Sequence, residues 1–414
     1  MPALRFDTHE KKGRQDAVAP RKLRRMTANT TGTLSLSASE RAWSLAGVYA
    51  CIFANGVGMG LSLPLLSLIL ERAGVSGTVN GLNAAFGSLA MVAVTPFVPA
   101  LAARFGAVRF LAASYVVTAL SLIAFRASDS ILLWFILRFT LNSGLQSLFV
   151  VSEVWINQVS AEETRGRAVA VYASLLSGGF ALGTLIVQIV GTRGWLPFLI
   201  GAAVILAALV PLLLARRFVP PVEYAPPAAM GGFVFKSPSA SFAALTFGAL
   251  DICLGSFLPV YMVRLGSPEA DAVQLLGAWA LGNMILQPLI GWISDKTDRR
   301  LVLIACGVVG VLGAIAMPFL AHQQWLALTL VFVWGGVVLG LYTIGLAHLG
   351  SRFRGAELAA ANAAFAFLYG VGALAGPGIG GGSIDLWNPH GLMVALGGIS
   401  AAYVGVAAWR YLRS

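Results

Sequence analysis

Gly291-Trp292-Ile293-Ser294-Asp295-Lys296-Thr297-Asp298-Arg299-Arg300 is a short, densely charged turn between two long apolar segments. A worn copy of this region lies 192 residues upstream, where Pro96 stands for Pro288, Pro99 for Gly291 and Ala103 for Asp295, with basic residues at Arg104 and Arg109. A charged hairpin that recurs at about half the chain length points to two similar membrane halves.

The composition agrees with that reading. The 414 residues are 58% hydrophobic and 11% charged, with a mean hydropathy of +0.81, against roughly 45–50% apolar and 25% charged in soluble domains. Such a chain takes lipid as its solvent. Twelve apolar runs approach the ~20 residues that cross a ~30 Å hydrocarbon layer. They fall at about 43–70, 78–101, 108–126, 131–152, 167–190, 195–215, 240–263, 270–293, 301–321, 325–349, 357–381 and 390–411. The fold class expected is therefore an all-α membrane protein of twelve transmembrane helices in two pseudo-symmetric six-helix bundles, with no room for a separate soluble domain.

The net charge of +11 does not imply a nucleic-acid partner, because nine of the 28 basic residues lie in the first 41 and most others sit on alternate loops. One side collects the N-terminal tail, Arg104, Arg109, Arg165, Arg167, Arg216, Arg217, Lys236, Lys296, Arg299, Arg300, Arg352, Arg354, Arg410 and Arg413. The other has only Arg72, Arg126, Arg193 and Arg264. The positive-inside rule then puts both termini in the cytoplasm.

Residues 1–40 are polar and basic, without the apolar stretch that a cleavable signal needs, and read as a disordered cytoplasmic tail attracted to anionic lipid, with Met26 as a second candidate start. Residues 216–239, with Pro220, Pro221, Pro226, Pro227 and Gly231-Gly232, read as a cytoplasmic linker between an N-terminal bundle (41–215) and a C-terminal bundle (240–414). Pro64 with Pro259, Pro96 with Pro288 and Arg165-Gly166 with Arg354-Gly355 mark corresponding positions in the two halves. Cys51, Cys253 and Cys306 lie singly in apolar segments, and the four histidines have no ligand spacing, so neither a disulfide, a metal nor a cofactor is expected.

Two six-helix halves, a G-x-x-S-D-x-x-x-R-R turn after the eighth helix and an R-G turn before the fifth and eleventh resemble the major facilitator superfamily of secondary transporters over residues 43–411. Within it, Glu153-Val154-Trp155-Ile156-Asn157 with Arg165-Gly166-Arg167, and Tyr369-Gly370-x-Gly372-x-x-x-Gly376-Pro377, most resemble the YcaD-like branch of bacterial inner-membrane permeases. The resemblance implies a monomeric, multi-pass inner-membrane protein without cofactor or enzymatic activity. Helices one, four, seven and ten would surround a central cavity. It also implies that Gly291, Asp295, Arg299 and Arg300 form a cytoplasmic gate in which glycine permits close helix approach and the aspartate trades partners as the halves rock. Ala103 removes the equivalent carboxylate from the first half. The G-x-x-x-G-P-x-x-G-G pattern that the superfamily associates with antiport on helix five sits here on helix eleven, at Gly372 to Gly381, where it signals close helix packing.

Polar residues inside the apolar runs are the candidate machinery. At ~100° per residue, Arg138, Asn142, Gln146, Glu153 and Asn157 fall on one face of the fourth helix. An arginine at the bilayer centre costs at least ~2.5 kcal/mol, so Arg138 needs protein, water or a counter-ion, either as a structural pair or as an anchor for an anionic solute group. Asp251 lies deep in the seventh helix at nearly the depth of Arg138, and the two are read as a candidate proton-coupling pair, with a static packing pair as the competing reading. Asn55, Asn142, Gln146, Asn283, Gln287, Tyr342, Asn362 and Tyr369 are candidate cavity residues, or interhelical hydrogen-bond ties worth ~0.6 kcal/mol on average. Glu153, Trp155, Asn157, Arg165, Arg167 and Arg354 join the loop motif as candidate gate residues. The leading expectation is a permease that moves a small organic solute by proton-coupled alternating access. A non-transporting sensor or assembly partner on the same scaffold is the alternative. The sequence lacks the G-x-S-x-G, H-E-x-x-H and G-K-[ST] motifs of hydrolases, zinc proteases and phosphate loops.

Overall fold

The structure is a computed structural model that describes residues 37–160, 165–222 and 237–413. Most of the expected tail and the centre of the expected linker therefore lie outside the described residues. Twelve helices long and apolar enough to cross a membrane follow one another, with no strand among the described residues. They are α1 (Ala38–Arg72), α2 (Gly77–Phe105), α3 (Ala107–Arg126), α4 (Ile131–Val159), α5 (Arg165–Val190), α6 (Leu196–Ala215), α7 (Pro238–Arg264), α8 (Glu269–Lys296), α9 (Arg299–Leu320), α10 (Gln324–Arg352), α11 (Gly355–Leu386) and α12 (Gly391–Leu412).

Several helices outrun the apolar stretches that announce them. The first begins at Ala38, inside the segment expected to be disordered, because Ser37 and Glu40 form a capping box: the Glu40 amide donates to the Ser37 hydroxyl at 3.3 Å and the Ser37 amide to the Glu40 carboxylate at 3.0 Å. The fourth continues to Val159, seven residues past the last apolar position counted, since nothing in Glu153 to Asn157 stops a helix. Hydropathy finds the lipid-crossing part of a helix and misses polar turns that project beyond it.

Glycines set the packing inside each half. A side chain at Gly56 or Gly60 of α1 would overlap the Leu176 or Phe180 carbonyl of α5, and one at Gly179 or Gly183 of α5 would overlap the backbone of α1. In the second half, Gly248 of α7 faces the Tyr369 carbonyl of α11, and Gly372 and Gly376 face Leu245 and Ala249. Gly56 and Gly248 are 192 residues apart, and Gly179 and Gly372 are 193 apart, the same offset as the charged hairpin to within one residue. The two bundles thus repeat one backbone-to-backbone crossing, with small residues standing where lipid-buried helices approach most closely.

Among the described residues the halves meet chiefly along three helix pairs, α1 with α7, α2 with α11 and α5 with α8. Their polar contacts gather at the end that carries the α1–α2, α5–α6, α7–α8 and α11–α12 turns, here called the far face. The opposite end, where α1 starts and α12 finishes, is the termini face.

Candidate functional site

Asp251 occupies the middle of α7, a helix packed against α1, α8, α10, α11 and α12. From Thr246 to Met262 every residue is buried except Asp251. With helices on all sides, the surface left at this one position opens into the bundle rather than to lipid. Its carboxylate accepts a hydrogen bond from the Tyr369 hydroxyl of α11 at 3.0 Å, and no basic side chain among the described residues lies within ion-pair distance. Tyr369 belongs to an aromatic group. Its ring centre is 5.6 Å from Tyr342 of α10 and 6.0 Å from Phe247 of α7, and Tyr342 lies 5.1 Å from Phe365.

Arg138 does not meet Asp251. Its side chain is 2% exposed, one terminal nitrogen donates to the Ser62 carbonyl of α1 at 3.3 Å, and its Nε has no partner. Gly87 of α2 makes room for it, since a Cβ there would stand 3.3 Å from that Nε and 2.7 Å from the Asn142 amide. Arg138, Asn142, Ser62, Ser88 and Ile252 border one small internal cavity. The two charged residues therefore lie on either side of the α1–α7 contact, each with a partner from its own half.

The remaining candidates divide by what they touch. Asn55 is 1% exposed and donates to the Leu145 carbonyl of α4. Gln146 donates to the Thr95 hydroxyl at 2.8 Å and Asn142 to the Arg138 carbonyl at 2.9 Å. Gln287 donates to the Gly336 carbonyl and accepts from Thr343, each at 2.7 Å. Asn283, with its amide turned to satisfy both neighbours, donates to Gly335 at 2.9 Å and accepts from the Trp279 indole at 3.2 Å. These five bond within their own half. Tyr342 and Tyr369 are the cavity candidates that stand beside Asp251, and Asn362 on α11 is exposed.

The expected gate residues are spread apart. Glu153, Asn157, Arg167, Asp295 and Arg354 are exposed, and the Arg165 side chain lies outside the described residues. Asp295 pairs at 3.3 Å with Arg299 one turn along the chain, and Arg299 also donates to the Ala347 carbonyl at 2.8 Å. Arg300 lies at the start of α9 beside it. A Cβ at Gly291 would meet nothing within 4 Å, so no helix crowds that glycine in this state. Trp155, read from sequence with the gate, is instead a core tie: its indole donates to Ser44 at 2.8 Å, and Ser44 donates to the Phe218 carbonyl at 2.8 Å.

Sequence reasoning missed the polar closure of the far face. Arg264 of α7 grips Glu71 of α1 at 2.7 and 2.9 Å, and Arg72 of α1 contacts Glu269 of α8 at 2.8 and 3.0 Å. Thr192 donates to Glu269 as well. Asp385 of α11 accepts from the Gly77 amide at 2.8 Å and from the Thr78 amide and hydroxyl at 2.7 Å, placing a carboxylate on the N-terminus of α2. One signal was available. Arg72 and Arg264 are 192 residues apart, so both are repeat positions, and each takes an acid from the opposite half.

The far face is thus sealed between halves, while Asp251, Tyr369 and Tyr342 border a chamber inside the helix bundle. The chain is similar to solved structures of this shape, at levels that speak to the fold. The nucleoside transporter NupG aligns with a TM-score of 0.68 at 16% identity over 89% of this chain and 98% of its own. A bacterial homolog to the human lysosomal transporter Spinster, inward-facing and occupied, aligns with a TM-score of 0.72 at 15% identity over 91% and 99%. By sequence, the chain is 28% identical over 346 residues to the MFS-type transporter YfkF of Bacillus subtilis strain 168, covering 79% of this chain and 85% of that protein. It is 26% identical over 276 residues to the MFS-type transporter YcaD of Escherichia fergusonii, covering 66% and 70%. The family pattern of the Major Facilitator Superfamily matches residues 48–346 and 241–414, and with two glycine-crossed six-helix halves around an internal chamber, the chain belongs to that superfamily of membrane transporters.

Proposed function

We propose that the protein is a proton-coupled secondary transporter of a small organic solute in the bacterial inner membrane, with both termini in the cytoplasm and the chamber open to that side in this state. The observation that carries the reading is Asp251, the one accessible position in a buried stretch of α7, held by a single hydroxyl and by no cation among the described residues. Water and donated hydrogen bonds favour the carboxylate, and dehydration favours the neutral acid. A carboxyl group whose surroundings alternate between the two takes up and gives off a proton once per cycle. The closed far face supports alternating access, since a chamber sealed on one side by contacts between halves opens there when those contacts part. The basic termini-side loops support the orientation.

The test is solute-dependent proton movement in proteoliposomes under an imposed pH gradient, for wild type and Asp251→Asn. The expected result is coupled movement in wild type and its loss in the variant, with the variant still folded by gel filtration. Undiminished pH-driven flux in Asp251→Asn removes the proton role. Absence of flux for every solute in a broad panel favours a sensor on the same scaffold.

A further inference from the structure

Arg138 is a buried cation with no counter-ion beside it. It is 2% exposed, its Nε has no partner, and the one hydrogen bond its side chain makes among the described residues is the 3.3 Å contact to the Ser62 carbonyl. No carboxylate among the described residues lies within ion-pair distance of it, and Asp251 is engaged by Tyr369 at 3.0 Å instead. A guanidinium stays protonated and offers five donors with no acceptor. Burial therefore leaves Arg138 uncompensated in charge as well as short of hydrogen-bond acceptors.

The small cavity that Arg138 borders has matching chemistry. Ser62 of α1 and Ser88 of α2, 3% and 2% exposed, stand on its wall, and neither hydroxyl has a partner among the described residues. Both hydroxyls are free to turn and donate. Apart from Asn142 the other bordering residues are apolar, and none is acidic. The volume is about 10 Å³, room for one particle of about the size of water. A water molecule there answers the N–H groups and leaves the charge, whereas a monatomic anion answers both.

The second half closes this space. Ile252 of α7 also borders the cavity and packs against Leu63 of α1. A Cβ at Gly255 of α7 would stand 3.1 Å from Leu63, so the two helices leave little room between them there. A particle beside Arg138 is thus enclosed until the α1–α7 contact parts.

We propose that Arg138, with the hydroxyls of Ser62 and Ser88, holds one monatomic anion of halide size, such as chloride, as its counter-ion. The site lies on the first-half side of the α1–α7 contact, apart from Asp251 and its aromatic neighbours. It stands whether or not Asp251 carries a proton.

The test is ligand-linked stability of the full chain in nanodiscs. Thermal unfolding is followed as chloride or bromide replaces gluconate at fixed sodium concentration and ionic strength, with acetate and sulfate as parallel replacements. A saturable rise of several degrees is expected with either halide, as for any ligand that binds the folded state alone, and none with sulfate, which is too large for the cavity. Ser88→Ala, which removes one donor to the ion, shifts the half-saturating halide concentration upward by about tenfold. Arg138→Met abolishes the response. In gluconate that variant is at least as stable as wild type, because an unpaired buried charge has gone, and in chloride it is the less stable of the two. Should Arg138→Met fail to fold, the Ser88→Ala shift and the position of bromide, located by anomalous scattering in crystals, decide the matter. Wild type indifferent to halide, a halide response that sulfate reproduces, or an unchanged response in Ser88→Ala and Arg138→Met overturns the proposal. So does a response to acetate alone, which would assign Arg138 to the carboxylate of an organic solute.

Discussion

Arg264 and Glu71 join the seventh helix to the first across the boundary between the halves, with nitrogen–oxygen distances of 2.7 and 2.9 Å and side chains only 15% and 17% exposed. Exposed pairs contribute about 0–1 kcal/mol and breaking a buried one costs about 3–5 kcal/mol. This partly buried, two-point pair lies between, so loss of one partner should cost the closed far face about 1–3 kcal/mol, or roughly thirtyfold in population near the middle of that range. Spin labels on cysteines placed at Val75 and Ser267, in the two far-face turns, report the separation of the halves. The three native cysteines are buried and stay silent. Glu71→Gln and Arg264→Met are expected to add a longer-distance population, and raised salt to add less. An unchanged distance distribution in both variants would mean that the pair does not hold this state.

Two sets of glycines look alike and should fail differently. Gly372 meets the Leu245 carbonyl inside the second half, whereas Gly381 of α11 meets Gly77 of α2 across the boundary. Overpacking costs about 1–3 kcal/mol where neighbours cannot yield. Inside a half the strain has no outlet but unfolding, so Gly372→Val should lower thermal stability. Across the boundary it is relieved by separating the halves, so Gly381→Val should open the far face in the same label measurement with a smaller loss of stability. Equal loss for the two substitutions would contradict a boundary that moves as a unit.

Tyr369 serves Asp251 with its hydroxyl and the aromatic group with its ring, and two substitutions separate these. Tyr369→Phe removes one donor from a carboxylate that chamber water can reach, a cost of about 1 kcal/mol. Tyr369→Ala also removes the contacts with Phe247 and Tyr342, which for a buried aromatic is about 3–5 kcal/mol. The expected order of unfolding temperature is wild type, then Tyr369→Phe, then Tyr369→Ala, with proton-coupled flux impaired already in the first variant. If Tyr369→Phe is as unstable as Tyr369→Ala, the hydroxyl and not the ring is the main tie.

The helices were legible because lipid demands long apolar runs, and the pairing of the halves because the 192-residue offset survives in prolines, glycines and charges. Individual polar side chains were less so. Asn55, Gln146, Asn283 and Gln287 have the depth of cavity residues, but depth along a helix does not say whether an amide turns to the chamber or to a neighbouring group, and these four turn to neighbours. Arg138 and Asp251 share a depth for the same reason without sharing a contact. The far-face ion pairs join residues 193 to 197 positions apart, and only the packing of α1, α7 and α8 brings them together. Trp155 was grouped with its sequence neighbours Glu153 and Asn157, yet at about 100° per residue it faces away from both and into α1.

Gly291 makes the last prediction, because the charged turn that revealed the fold has least to do in this state. Open space surrounds the Cβ position of Gly291, and Asp295 is 72% exposed, with Arg299 its one ion-pair partner among the described residues. If the halves come together at the termini face in the opposite state, α8 must approach the first bundle there, and a glycine becomes necessary only then. Gly291→Val is therefore expected to leave thermal stability within about 0.5 kcal/mol of wild type, as for a surface change. It should slow solute flux and, with the far-face labels, reduce the population that opens when Glu71→Gln is added. A large loss of stability would show that Gly291 is packed already, and normal flux would show that the termini face never closes at this glycine.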